Sequence, residues 1–74
     1  MSKLPSLTGE QVVKALCKYG FRVERQKGSH PYLKHADGRA TVIPLHKGES
    51  IGKGLLRKII RDTDMDKDEF LGLL

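Results

Sequence analysis

The sequence predicts an α+β domain whose elements follow the order α-β-β-β-α, with one short helix at the end. Two stretches, which start near residues 8 and 50, repeat apolar residues at the spacing of an amphipathic helix. Between them lie three short segments that turn residues separate. A chain of 74 residues is long enough for one domain with a thin core. We therefore expect a single domain over residues 1–74, with an open site for a large ligand.

The first helix is predicted to begin after Thr8, which forms a capping-box pattern with Gln11. Gly20 suits the position just beyond the end of such a helix. Four residues are expected on its apolar side: Val12, Val13, Leu16 and Cys17. Cys17 is the only cysteine, so the chain forms no internal disulfide, and we expect a buried thiol.

Three strands are predicted to follow this helix. Residues 21–26 alternate apolar and charged side chains, and a turn at Lys27-Gly28-Ser29 ends them. Residues 30–35 and 40–45 flank Asp37-Gly38, a dipeptide typical of hairpin turns. A two-residue turn there would place Ala36 opposite Arg39 and, further along, His30 opposite Leu45.

The second helix is predicted to have Ser50 as its N-cap, and Asp66 with Glu69 forms another capping-box pattern before a short closing helix. Five residues of the second helix fall on one apolar side: Ile51, Leu55, Leu56, Ile59 and Ile60. A three-stranded antiparallel sheet needs one covered face to be stable. We therefore expect both amphipathic helices on one face of the sheet, with the other face left for a ligand.

The charge distribution points to a polyanionic ligand. The formal net charge is +5, and residues 62–69 hold five of the nine acidic residues and one of the fourteen basic ones. Residues 1–61 therefore carry a net charge of +9, which attracts nucleic acid; the alternative is charge that serves solubility alone. We expect a cytoplasmic protein without a membrane contact, because there is one cysteine, no bilayer-spanning apolar run and no signal-peptide pattern.

Four motifs resemble the HicA toxin family, in matching order and spacing from roughly Leu7 to Leu74. They are "GSH" at residues 28–30, "DGR" at 37–39, "P-x-H" at 44–46 and "GKGLLRKII" at 52–60. The resemblance implies a fold like that of double-stranded-RNA-binding domains, and an mRNA interferase activity with a catalytic histidine at His30. It also implies that a HicB-type antitoxin neutralises the protein.

The residues around His30 fit this chemistry. RNA is cleaved without a metal when its 2′-hydroxyl attacks the neighbouring phosphate, which requires a base, an acid and cations or N–H donors near the phosphate. Histidine transfers protons near neutral pH. Gly28 would let the backbone approach the phosphate, Ser29 could donate a hydrogen bond to it, and Lys27 would supply positive charge. Taken alone, an isolated histidine is more often a surface or packing residue.

The other histidines are assigned smaller roles. The predicted register places His46 opposite Ser29, near His30 but with its side chain on the other face, so we expect at most a secondary role for it. His35 beside the turn is expected to be an ordinary exposed residue. The spacing of the three histidines does not fit zinc, and Lys67 interrupts a calcium-loop pattern in the acidic segment, so we expect no metal and no cofactor.

Lys53, Arg57 and Arg61 recur every four residues and predict a basic stripe along the second helix. Such a stripe suits phosphate binding, and the alternative is a solvated helix face. The full set of expected RNA contacts is Lys27, Lys34, Arg39, Lys53, Arg57, Lys58 and Arg61.

The function expected from the sequence is metal-free cleavage of mRNA by a monomeric toxin that uses His30 and has an antitoxin partner. Two alternatives stay open. One is an RNA-binding module of the same fold that does not cleave, and the other is a domain whose basic face binds an acidic protein.

Overall fold

The computed structural model describes residues 4–74 of the chain. Its three strands form one antiparallel sheet in the order β1-β2-β3. The predicted α+β order is confirmed, with these elements: α1 (Gly9–Tyr19), β1 (Arg22–Lys27), β2 (His30–Lys34), β3 (Ala40–Val42), α2 (Lys53–Asp62) and α3 (Lys67–Leu71).

Helix α1 begins at the predicted capping box. The Gln11 amide N donates to Thr8 Oγ1 over 3.2 Å, and the Thr8 amide N donates to Gln11 Oε1 over 2.8 Å. The helix ends at Gly20, whose φ of 126° suits a residue without a side chain. Cys17 is exposed, so the prediction of a buried thiol is wrong. The buried positions are Gly9, Val12, Ala15 and Leu16, and the residue after Leu16 points about 100° away from that face.

Alternate residues of strand β2 point to opposite faces of the sheet. Pro31 and Leu33 are buried, whereas His30, Tyr32 and Lys34 alternate with them and point to the opposite side. Leu33 belongs to one hydrophobic core with residues of all three helices, including Leu16, Leu56, Ile59 and Phe70. The two long helices therefore cover one face of the sheet, as predicted, and His30 lies on the other face.

Strands β1 and β2 are joined by a two-residue turn. Lys27 pairs with His30, and Gly28 at the first turn position has a φ of 59°. Glycine is preferred there because the type I′ and type II′ turns that make two-residue hairpin loops require a positive φ at the first central residue. The pairing is irregular between Val23 and Arg25, and this bulge reorients the strand at the edge of the sheet.

The β2–β3 hairpin has a register that differs from the predicted one. Lys34 pairs with Ala40, and the His35 amide N donates to the Arg39 carbonyl O over 2.8 Å. The loop therefore contains three residues, 36–38, and the prediction of a two-residue turn at Asp37-Gly38 is wrong. Gly38 has a φ of 100°, which matches the left-handed residue that closes a three-residue hairpin loop.

Helix α2 begins at Lys53, with Gly52 as its N-cap and no side-chain cap. The prediction of Ser50 as the cap is wrong, because Ser50 forms an isolated antiparallel bridge with Thr8. Four of the five predicted apolar residues are buried: Leu56, Ile59 and Ile60 in the helix, and Ile51 just before it. Leu55 is 37% exposed and lies at the border of that face.

The short helix α3 closes the core. Asp66 accepts a hydrogen bond from the Glu69 amide N over 2.7 Å, which confirms the second capping box, and Phe70 is buried. None of the helices in residues 4–74 is long and apolar enough to cross a membrane.

Candidate RNA-cleavage site

The sheet presents an exposed surface on the side away from the helices, which we call the outer face. Cross-strand partners share a face of a sheet, and Lys27 pairs with His30, Arg25 with Tyr32, and Tyr32 with Val42. We restrict the name outer face to Arg25, Lys27, His30, Tyr32, Lys34 and Val42, and Arg22, the cross-strand partner of Lys34, lies at the edge of the same surface. An open depression of about 510 Å³ is lined by five of these residues and Gln26.

His46 lies beside His30 on this face. The centres of the two imidazole rings are 6.1 Å apart, and the ring planes are nearly perpendicular, at 87°. Both residues are exposed. The expectation that the His46 side chain points to the other face is therefore wrong.

The hairpin register explains this position of His46. Beyond β3, the Ile43 amide N donates to the Pro31 carbonyl O over 3.2 Å, and the Leu45 amide N donates to the Ser29 carbonyl O over 2.7 Å. The chain thus continues alongside β2 in the observed register, which is shifted by one residue from the predicted one. Because a shift of one residue exchanges the two faces, His46 moves to the side of His30.

Gly28 and Ser29 form the turn that leads into His30. The Gly28 carbonyl O accepts a hydrogen bond from Gln26 Nε2 over 3.1 Å, which stabilises the turn. A Cβ atom at Gly28 would meet no heavy atom within 4 Å, so its positive φ, and not crowding, favours glycine here. The space around Gly28 is open to a ligand, and the proposed approach of phosphate to this turn stays a prediction.

Arg39 lies away from the outer face and is bound within the protein. Its Nη1 donates to the Thr63 carbonyl O over 2.6 Å, its Nη2 donates to the Tyr19 hydroxyl over 3.3 Å, and its Nε donates to Asp37 Oδ2 over 2.8 Å. The guanidinium carbon is also 5.1 Å from the centre of the Tyr19 ring. These contacts connect the hairpin loop to the ends of α1 and α2 and support a structural role for Arg39, and the RNA contact expected of it stays a prediction.

His35 is half-buried beside Arg39, so the expectation of an ordinary exposed residue is wrong. The centre of its ring is 5.2 Å from that of Phe21 and 5.7 Å from that of Tyr19. The hairpin loop folds back over the junction between α1 and β1, which places this histidine in an aromatic cluster far along β2 from His30.

The basic stripe of α2 is exposed but belongs to the helix layer. Lys53, Arg57 and Arg61 are all exposed, as the spacing predicts. Lys58 forms an ion pair with Asp62, with 3.0 Å between Nζ and Oδ2. Because α2 packs on the face of the sheet opposite His30, the structure does not bring the stripe and the outer face into one surface.

Three outer-face residues were not predicted as site residues. Arg25 and Tyr32 form a cation–π pair, with 5.1 Å between the guanidinium carbon and the ring centre, and Val42 flanks the ring on β3. The alternation of β2 places Tyr32 on the same face as His30, so this pattern was the available signal. The position of Arg25 depends on the β1 bulge, which nothing in the sequence marked.

A comparison with protein families decides the relationship that the motifs suggest. The family model described as "HicA toxin of bacterial toxin-antitoxin" matches residues 9–65 of the 74-residue chain. The chain belongs to the HicA toxin family. A comparison with individual curated proteins found no match. The matched range contains all four motifs, and membership makes this chain the toxin of a toxin–antitoxin pair.

Acidic residues of the segment 62–69 cap a helix and form local hydrogen bonds and an ion pair. Asp62 Oδ2 contacts Lys58 and accepts a hydrogen bond from Thr41 Oγ1 over 3.2 Å, and Asp66 caps α3. Within residues 4–74, no three His, Cys, Asp or Glu side chains are grouped so that they could hold a metal ion.

Because of Asp37, the HicA fold is expected to lose stability at acid pH. Hydrogen bonds from the Arg39 side chain and then from its backbone N–H lower the pKa of Asp37 from 3.8 to about 2. Because the pKa is lower in the folded state, the stabilising effect is complete above pH 3.8 and is lost as the pH falls through about 2. We expect Asp37→Asn to lower the melting temperature by a constant amount at pH 5–7 and by a shrinking amount from pH 4 to 2.

Thermal unfolding followed by circular dichroism checks this expectation. Glu24→Gln, which removes one exposed carboxylate on β1, is the matched control for net charge. A difference between Asp37→Asn and the native chain that stays constant down to pH 2 would contradict the assigned ion pair.

Proposed function

We propose that this HicA chain is an endoribonuclease that cleaves mRNA without a metal ion, with His30 as its central catalytic residue. The observation that supports this most is the pair of exposed imidazoles, His30 and His46, 6.1 Å apart on the outer face. The family is generally one of RNase-type toxins, which agrees with this proposal.

The proposed reaction is an internal transfer at phosphorus. A base removes the proton of the 2′-hydroxyl, the 2′ oxygen forms a bond to the neighbouring phosphorus, and the bond from phosphorus to the 5′ oxygen breaks. An acid donates a proton to that 5′ oxygen, so the products are a 2′,3′-cyclic phosphate and a 5′-hydroxyl. One neutral and one protonated imidazole provide both functions near neutral pH. The rings of His30 and His46 are close enough to reach oxygens of one phosphodiester.

Cations around His30 would stabilise the charge that develops on the phosphate. Lys27 is the cross-strand partner of His30, whereas Lys34 lies on the same face four residues further along β2 and would contact a neighbouring phosphate of the strand. Ser29, half-buried in the turn, is the proposed hydroxyl donor to a phosphate oxygen, and Gly28 leaves room for the strand. Fixed donors at the position of developing charge are a large source of rate enhancement. The α2 stripe is proposed as a second surface that contacts a longer RNA.

Removal of His30 tests the catalytic proposal. We expect the purified chain to cleave mRNA in EDTA, and we expect His30→Ala to abolish cleavage, while His46→Ala reduces it by about 10²–10⁴-fold, as is typical of a lost acid or base. Gel analysis of labelled RNA measures the cleavage. The melting temperature of His30→Ala should stay within a few degrees, because the residue is exposed. Full activity of His30→Ala, or activity that chelation abolishes and zinc or magnesium restores, would refute the mechanism.

Salt dependence tests which surface contacts RNA. In a His30→Ala background, we expect Lys27→Ala and Lys34→Ala each to reduce the slope of log affinity against log salt by about 0.7, the value for one lost phosphate contact on a single strand. Lys14→Ala, an exposed lysine on α1, is the matched control and should leave the slope unchanged. The triple variant of Lys53, Arg57 and Arg61 should reduce the slope for long RNA and not for a short oligonucleotide.

The same assays separate the alternatives. A non-catalytic RNA-binding module would show the salt-dependent affinity without cleavage under any condition. A domain that binds only an acidic protein would show no RNA affinity that responds to Lys27 or Lys34.

A HicB-type antitoxin is the proposed protein partner, and we propose that it covers the outer face. A standard interface buries about 800 Å² on each partner, against a total surface of 4898 Å² for this chain. A partner with acidic side chains would associate quickly with Lys27 and Lys34 in a salt-sensitive way. Such a partner would hide His30 without altering it.

We expect the antitoxin and RNA to exclude each other from the toxin. A titration of labelled RNA bound to His30→Ala toxin with antitoxin should release all of the RNA, and amide exchange at Gly28–His30 should slow in the complex. Amides in α3 serve as the internal control. A ternary complex in which His30 stays open to solvent would show that inhibition acts from another surface.

A further inference from the structure

The outer face carries three side chains that the proposed cleavage chemistry does not use. Tyr32 lies in the middle strand, flanked by its cross-strand partners Arg25 on β1 and Val42 on β3. Val42 is 45% exposed although it is hydrophobic. The three residues line the same depression as His30 and Lys27. An aromatic ring, a planar cation and an apolar side chain thus lie next to the proposed catalytic pair.

These side chains differ from what recognition of double-stranded RNA requires. A protein binds an RNA duplex mostly through phosphates and 2′-hydroxyls, because the stacked base faces are inaccessible. An unpaired base exposes its flat faces, which stack on aromatic rings and on arginine guanidinium groups. The outer face offers both kinds of planar group together, since the Arg25 guanidinium carbon is 5.1 Å from the centre of the Tyr32 ring.

We propose that Tyr32, with Arg25 and Val42 on either side, forms a subsite for one unpaired nucleobase of the RNA strand whose phosphate lies at His30. The substrate is therefore single-stranded RNA at the point of cleavage. This inference rests on the proposed function for the position of the phosphate, but the subsite is defined by binding and not by cleavage.

The distances along β2 agree with this arrangement. Tyr32 is two residues from His30, and side chains two positions apart on a strand share a face and lie about 6.5 Å apart. That separation lets a base stack on Tyr32 while the phosphate next to its sugar contacts His30 and Lys27. The exposed Arg25 guanidinium lies over one side of the Tyr32 ring, so a base would either displace it or stack on the other side of the ring, and in both cases the guanidinium would add positive charge beside the base.

The experiment measures binding of short single-stranded RNA to His30→Ala protein by fluorescence anisotropy, so cleavage is not needed. Three variants are compared in that background: Tyr32→Ala, Tyr32→Leu and Tyr32→Phe. We expect about tenfold weaker binding for Tyr32→Ala and Tyr32→Leu, because both lose the π face, and near-native affinity for Tyr32→Phe. Tyr32→Leu keeps the apolar bulk and covers the case in which Tyr32→Ala is poorly folded.

A scan with RNA that lacks one base at a time provides the decisive comparison. Removal of the base at one position should weaken binding about tenfold, as Tyr32→Ala does. The two changes together should weaken binding no more than either alone, since they remove the same contact. The scan itself uses protein with Tyr32 intact, so it does not depend on the folding of a Tyr32 variant. A duplex of the same sequence should bind more weakly and should not respond to Tyr32→Ala.

Several outcomes would overturn the subsite. They are native affinity for Tyr32→Ala and Tyr32→Leu, an additive effect at every abasic position, or a duplex that binds as tightly as the single strand. The pair Arg25–Tyr32 would then serve only the pairing of β1 with β2. If RNA is cleaved but Tyr32→Ala changes nothing, the subsite is wrong and the proposed function stands. If binding depends on Tyr32 but no RNA is cleaved, the subsite stands and the catalytic proposal fails, whereas no RNA binding at all refutes both.

Discussion

The three-residue loop at residues 36–38 determines which side chains of the hairpin share a face, and the candidate site depends on it. Asp37 Oδ1 accepts a hydrogen bond from the Arg39 amide N over 3.1 Å, and Arg39 in turn binds the Thr63 carbonyl O at the end of α2. The loop is thus braced against the helix layer. In a two-residue loop, each residue after it would move to the other face. Thr41 would leave the core, and His46 would leave His30.

The segment after β3 is held from the other side by α1. Gly9, the first residue of that helix, lies so close to the Pro44 carbonyl that a Cβ atom would overlap it. At the far end, the Ile51 amide N donates to the Leu7 carbonyl O over 2.7 Å. The segment that carries His46 is therefore fixed at both ends although it lies outside a regular strand. The position of the imidazole pair follows from the packing of α1 as much as from the sheet.

Features that depend on neighbours in sequence could be predicted, and features that depend on distant contacts could not. The capping boxes at Thr8 and Asp66 involve residues three apart, and both are confirmed. The hairpin register, by contrast, depends on Arg39 reaching Thr63, 24 residues further along the chain. From Asp37-Gly38 alone, a two-residue turn and a three-residue loop are both possible. A two-residue turn predicts His46 on the wrong face, whereas the motif at residues 28–30 marks His30 as a candidate whatever the register.

The basic charge of the chain is used for two different purposes, which a count of residues cannot separate. Arg39 and Lys58 form ion pairs with Asp37 and Asp62, so their charges are balanced within the protein. Lys27 and Lys34 lie on the outer face, where the exposed imidazoles also are. A molecule with extents of 35 × 29 × 18 Å is too thin to enclose a substrate, so its ligand has to lie across a surface. Under the proposed function, a polyanion would be held there by charge, and groups that transfer protons would act on it only where they share that surface, which in this fold is the outer face of the sheet.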